Sequence, residues 1–110
     1  MVKVGEQFAM AVLPASKRLD LSALQQTLGS EERPRLAEEK EFGELFPDCE
    51  PGAEPPLGNL YGLPVVVAQS LAEDEEIAFN AGTHREMIKM AYADFARLVQ
   101  PKVGVIAAAD

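Results

Sequence analysis

The 110-residue sequence predicts one mixed α/β domain of the α+β kind, with short strands around a sheet and a few helices against it. Three observations carry this expectation. Short apolar runs recur at Phe8–Leu13, Leu63–Ala68 and Ile77–Phe79. Helix-spaced apolar residues recur between them, at Leu21/Leu24/Leu28 and at Tyr92/Phe95/Leu98/Val99. Proline or glycine punctuates nearly every junction.

Phe8–Leu13 reads as a buried strand stopped by Pro14, with Val2–Val4 as a hairpin partner across a Gly5-Glu6-Gln7 turn. Asp20 or Ser22 caps the first helix, Ser22 with Gln25 fits a capping box, and Gly29 stops it. A second helix is expected from about Glu38 to Phe46, with Phe42, Leu45 and Phe46 on its apolar stripe and Pro47 at its end. Asp48–Gly62 holds Pro51, Gly52, Pro55, Pro56, Gly58 and Gly62, a density that no helix or central strand tolerates. It reads as an ordered loop, because a flexible linker would divide a chain too short for two good cores. Leu63–Ala68 and Ile77–Phe79 are strands, with Glu73-Asp74-Glu75-Glu76 as a solvated turn between them. Met87–Met90 alternates as a half-exposed strand. The helix carrying Tyr92, Phe95, Leu98 and Val99 ends at Pro101, and Val103–Ile106 is the last strand.

Hydrophobic residues make up 47% of the chain, enough for a real core, and the net charge is -8. Such a charge repels polyanions at long range, so DNA and membrane-surface binding are not expected and any nucleic-acid contact must be local. Cys49 is the one cysteine and His84 the one histidine. A disulfide framework and a multi-ligand Cys or His metal site are therefore excluded, and no metal or organic cofactor is indicated. No apolar run reaches the roughly 20 residues of a membrane helix, and no signal-peptide pattern opens the sequence, which makes the cytoplasm the default location.

Two segments can carry chemistry. In Glu50–Gly58 the prolines stiffen the backbone and remove donors, while the glycines allow close approach. By composition alone this is a structural crossover; the alternative is a rigid wall whose remaining N–H groups face a ligand. Asn80-Ala81-Gly82-Thr83-His84-Arg85-Glu86 joins two strands. By composition alone its histidine is a surface residue beside a turn; the alternative is a group that holds a carbonyl, an amine or a water near neutral pH. Cys49 lies between Asp48 and Glu50, which disfavour a thiolate, so it is not expected to be a nucleophile.

Taken in order, AVLPASKRLDL, LFPDCEPGAEPPLGNLYGLPVVVAQSL and EEIAFNAGTHREMIKM resemble the aminoacyl-tRNA editing domains of the YbaK / prolyl-tRNA synthetase insertion type, from about Phe8 to Ile106. The resemblance implies a mixed, curved sheet with flanking helices. It also implies hydrolysis of the ester joining a wrong amino acid to the tRNA 3′ acceptor end, with alanine or another small residue on tRNA for proline as the first expectation. Carried onto this chain, it implies that Gly52, Ala53, Pro55, Pro56 and Gly58 border the aminoacyl pocket together with Asn80. Gly82, Thr83 and His84 would form the catalytic turn, with His84 placing the amino acid or the attacking water. No protein nucleophile is implied, because the substrate's ribose hydroxyl assists. An aminoacyl-tRNA synthetase partner would ease the conflict between the -8 charge and a polyanionic substrate.

The resemblance also implies a departure. Family members carry roughly 40 to 50 further residues ahead of the strand at Phe8. These include an editing lysine, which in this register falls before Met1 and leaves Lys3 as the nearest lysine. A homodimer is expected if that shortening uncovers a sheet edge. The competing reading is a binding module that keeps the pocket without turnover and takes an aminoacyl-nucleotide-like ligand or a protein partner.

Overall fold

The computed structural model describes residues 1–14, 16–50 and 53–108, without the side chain of Glu39. Val2–Val4 (β1) and Gln7–Val12 (β2) form an antiparallel hairpin with Gly5 at positive φ in its turn. The helix Leu21–Leu28 (α1) follows, capped by the Asp20 side chain, which accepts from the Ala23 N–H at 3.0 Å, and ended by Gly29 at φ 68°. Asp20 is therefore the cap, and not Ser22. A two-residue strand, Arg35–Leu36 (β3), pairs antiparallel with β1 and was not legible in the sequence.

The expected second helix divides into Glu39–Phe42 (α2) and a 3₁₀ turn at Gly43–Leu45. The Pro/Gly-rich segment contains a further 3₁₀ turn, Gly58–Tyr61, closed by Gly62 in the left-handed region. The prolines precede this turn and do not interrupt it. Val65–Ala68 (β4) is the next strand, followed by the short helix Gln69–Ala72 (α3) that the sequence reading passed over. Glu76–Asn80 (β5) and Met87–Ala91 (β6) pair antiparallel from Glu76↔Ala91 to Asn80↔Met87. The helix Tyr92–Val99 (α4) and the strand Lys102–Gly104 (β7) complete the fold.

The main sheet has the order β3-β1-β2-β4-β7, antiparallel across β1 and parallel from β2 through β4 to β7. The β5–β6 pair stands apart as a two-stranded ribbon. β4 is buried at all four residues, as expected of a parallel strand covered on both faces. Its side chains alternate between two cores. Val65 and Val67 join Met10, Phe42, Phe46, Ile77, Phe95 and Val99 on one face. Val66 and Ala68 join Val2, Ala9, Leu24 and Ile106 on the other.

Leu98 was expected on the buried stripe of α4 but is 61% exposed, since Phe95 and Val99 already fill the face toward the sheet. The Tyr92 hydroxyl is buried with no hydrogen-bond partner among the described residues, and burial raises its pKa. No helix among the described residues is long and apolar enough to cross a membrane.

Two features can be tested directly. A methyl group at Gly104 would lie 2.6 Å from Thr27 Cγ2 and Oγ1, so α1 rests on bare backbone of β7. Gly104→Ala should destabilise the fold by about 1–3 kcal/mol in chemical denaturation, and adding Thr27→Ala should recover part of that loss. An unchanged midpoint in the single variant would contradict this packing. At the sheet edge, Arg35 donates to both Glu41 carboxylate oxygens at 2.9 and 2.6 Å, and Lys3 Nζ lies 3.6 Å away. The Arg35 hydrogen bonds, followed by the Glu38 backbone N–H, lower the Glu41 pKa from 4.5 to about 2. A lowered carboxylate pKa stabilises the fold above the unfolded value, and that contribution disappears as the pH falls through the folded one. Glu41→Gln should therefore be less stable than wild type at neutral pH, by a modest amount because the pair is solvent-screened, with the gap closing between pH 4.5 and about 2. A gap independent of pH would contradict it.

Candidate functional site

The segment that follows Phe46 folds back under the β5–β6 ribbon. Ala53 has no exposed surface, and Pro55, Pro56 and Gly58 are buried. Prolines can be buried here at low cost because they bring no N–H to satisfy. Gly58 is required by space: a Cβ there would lie 2.6 Å from Val65 Cγ2 and 3.1 Å from Met10 Sδ. Gly52 and its neighbour Pro51 lie outside the described residues.

The β5–β6 connection is held locally by side-chain and backbone hydrogen bonds. Asn80 Nδ2 donates to the Thr83 carbonyl at 3.3 Å, the Glu86 N–H donates to Thr83 Oγ1 at 3.1 Å, and the Ala81 N–H donates to the Glu86 carbonyl at 3.0 Å. Gly82 has φ 96°, a conformation that side chains rarely adopt. It packs against Cys49, whose Sγ would lie 3.7 Å from an added Cβ.

Thirty residues apart in sequence, the two segments are joined, among the described residues, by three hydrogen bonds. The Gly82 N–H donates to the Ala53 carbonyl at 3.0 Å, and the Glu50 N–H donates to the Gly82 carbonyl at 2.7 Å. The His84 N–H donates to Glu50 Oε1 at 2.7 Å. The join rests on an aromatic floor. Phe46 and Tyr61 pack with centroids 4.4 Å apart, and the Tyr61 hydroxyl lies 3.8 Å from Cys49 Sγ. Burial, then the contact with Cys49, raises the Tyr61 pKa above its ordinary value.

Beside this join a cavity of about 520 Å³ opens over one face of β2. Its walls are mostly apolar, from Met10 and Val12 of β2, Phe42 of α2, Leu71 of α3, and Ile77 and Phe79 of β5. Met1 borders it, and Leu13 and Pro14 contribute at the end of β2. Of the residues expected to form the site, Pro56 and Asn80 line this cavity. Ala53, Pro55 and Gly58 lie in the packed loop behind Pro56, while Gly82 and Thr83 hold the turn next to Asn80. His84 is exposed and is not among the lining residues. Lys3 is also absent from the lining: its Nζ sits 5.3 Å over the Phe8 ring and 3.6 Å from Glu41.

The sequence did not single out Glu54, the charged residue among those that line the cavity. Its place inside the expected loop was the available signal. The period-two spacing of Met10 and Val12 likewise put both on one face of β2. Leu71 was hidden because α3 is too short to show a period. A second hollow of about 360 Å³, bordered by Lys17, Ser70, Glu73 and Ala107, receives none of the expected site residues.

The family model for the aminoacyl-tRNA editing domain matches residues 1–98. The chain is similar to the multifunctional Ser/Thr-tRNA deacylase ProXp-y of Escherichia coli strains K12 and O157:H7, with 37% identity over 98 residues in both. That similarity covers 88% of this chain and 58% of the relative, so the chain spans little more than half the length of the curated proteins it matches. Among solved structures, a protein proposed as a trans-editing enzyme for prolyl tRNA synthetase superimposes with a TM-score of 0.84 at 21% identity, covering 98% of this chain and 67% of the other. The hypothetical protein APE2540 does so with a TM-score of 0.84 at 19% identity, covering 97% and 70%. These two likenesses establish a shared fold. With the family model matched across residues 1–98, the chain belongs to the aminoacyl-tRNA editing domain family.

Proposed function

We propose that this chain, as a single editing domain, hydrolyses the ester between a misplaced amino acid and the 3′ end of a tRNA. The observation that carries the reading is the cavity beside the Ala53–Gly82 join, because it brings Pro56 of one family segment and Asn80 of the other to a single apolar chamber. Family membership supports the same reaction class.

Ester hydrolysis needs a water delivered to the carbonyl carbon, donors for the oxyanion that develops, and departure of the ribose oxygen. The Glu54 N–H makes no hydrogen bond among the described residues and borders the cavity, so it is the loop's candidate donor to that oxyanion. Asn80 spends one amide hydrogen on Thr83, which fixes its plane at the cavity wall. His84, on the turn that Asn80 and Glu50 hold, is assigned to the tRNA end or the acyl group as they enter. The acyl group is small. Alanine on tRNA for proline is the first candidate, and the Ser/Thr-tRNA deacylase activity of the E. coli relatives adds serine and threonine. Selection of the tRNA by a synthetase partner would offset the repulsion from a chain of net charge -8.

A second reading is a module that binds an aminoacyl-nucleotide-like ligand without turning it over. It is favoured by the engagement of Lys3 with Glu41 and by the exposed position of His84. Release of the amino acid from alanyl-, seryl- and threonyl-tRNA substrates separates the two. Turnover of at least one substrate by the wild type, lowered about tenfold or more by His84→Ala, is the expected result. Turnover unaffected by the substitution would remove His84 from the mechanism, and no turnover by the folded protein would overturn the deacylase reading.

A further inference from the structure

We propose that Glu54 is the specificity residue that binds the α-ammonium group of the acyl moiety, so that the site accepts free aminoacyl esters and rejects N-acylated ones such as formylated or peptidyl-tRNA. The inference rests on the reading of the cavity as the acyl site.

Only two lining residues, Glu54 and Asn80, carry polar side chains among the described residues, and no lysine, arginine or histidine joins them. Asn80 has already given an N–H to Thr83. The Glu54 carboxylate makes no hydrogen bond or ion pair among the described residues, although it is half-buried. Its backbone is well placed for recognition, between the fully buried Ala53 and the buried Pro55 and Pro56. A half-buried carboxylate without a protein partner gains most from a ligand that brings its own cation.

An aminoacyl ester carries such a cation one carbon away from the reacting carbonyl. Binding it at Glu54 would place the carbonyl near the backbone of the same residue, whose N–H has no partner among the described residues. An N-acyl group replaces the ammonium with a neutral, bulkier amide. The carboxylate would then lose part of its water to the ligand without gaining a partner, which costs binding free energy. The same residue would thus orient the substrate and protect elongating or initiating chains from hydrolysis.

The test uses two non-hydrolysable probes, 3′-(L-alanylamino)-3′-deoxyadenosine and its N-acetyl derivative. Each is titrated by calorimetry or NMR into the wild type and into Glu54→Gln, which is nearly isosteric and is checked for folding by circular dichroism. The free-amine probe should bind the wild type roughly ten- to a hundredfold more tightly than the N-acetyl probe, and the preference should collapse in the variant. Equal affinities in the wild type, a preference retained in Glu54→Gln, or no binding of either probe to the folded wild type would each overturn the inference. Hydrolysis is scored separately. Amine-selective binding without turnover keeps Glu54 and removes the deacylase reading, while turnover without amine selectivity does the reverse.

Discussion

Two backbone hydrogen bonds, from the Gly82 N–H to the Ala53 carbonyl and from the Glu50 N–H to the Gly82 carbonyl, fix the Pro-rich loop against the β5–β6 ribbon. Neither segment could form the cavity wall alone. The loop has few donors because of its prolines, and the ribbon is a two-stranded unit that is marginal without support. Joined, each supplies what the other lacks. Gly82, at positive φ, turns both its N–H and its carbonyl to the loop, and the Glu50 carboxylate extends the join to His84.

Behind the join, β4 provides the reference surface. Val65 packs beneath Gly58 so tightly that no Cβ fits there, while Val67 belongs to the same core as Phe95 and Ile77. The cavity is bordered on one side by β2, which β4 backs through their parallel pairing, and on the other by a loop pinned to a hairpin. Such an arrangement suits a site that acts through positioned backbone groups, since preorganised donors need little rearrangement as charge develops. Among the described lining residues the walls are mostly apolar, and Glu54 is the one with a charged side chain.

Much of the fold was legible because local and global signals agreed. β2 and β4 are apolar runs, α1 has a capping Asp20 and a stopping Gly29, and α4 ends just before Pro101. What escaped was too short or too exposed to leave a pattern. β3 is two exposed residues, and α3 is four. The 3₁₀ turn at Gly58–Tyr61 follows prolines whose overall density had argued against any helix. Leu98 looked buried because its helical spacing allowed it, but the sheet-facing positions were already occupied. For the site, the two segments could be named from residue type and order. Their contact could not, since it depends on hydrogen bonds across some thirty residues, and the exposed placement of His84 and the lining role of Glu54 follow from that contact.

The most direct test of the join is amide hydrogen exchange at Glu50 and Gly82, resolved by NMR on the intact chain. The structure requires both amides to be protected together, at a level comparable with the β5–β6 ladder, because both donate to the opposite segment or to its backbone. Exchange of both at the rate of an unstructured loop, while the ladder stays protected, would show that the two segments are not joined and that the cavity wall is not preformed.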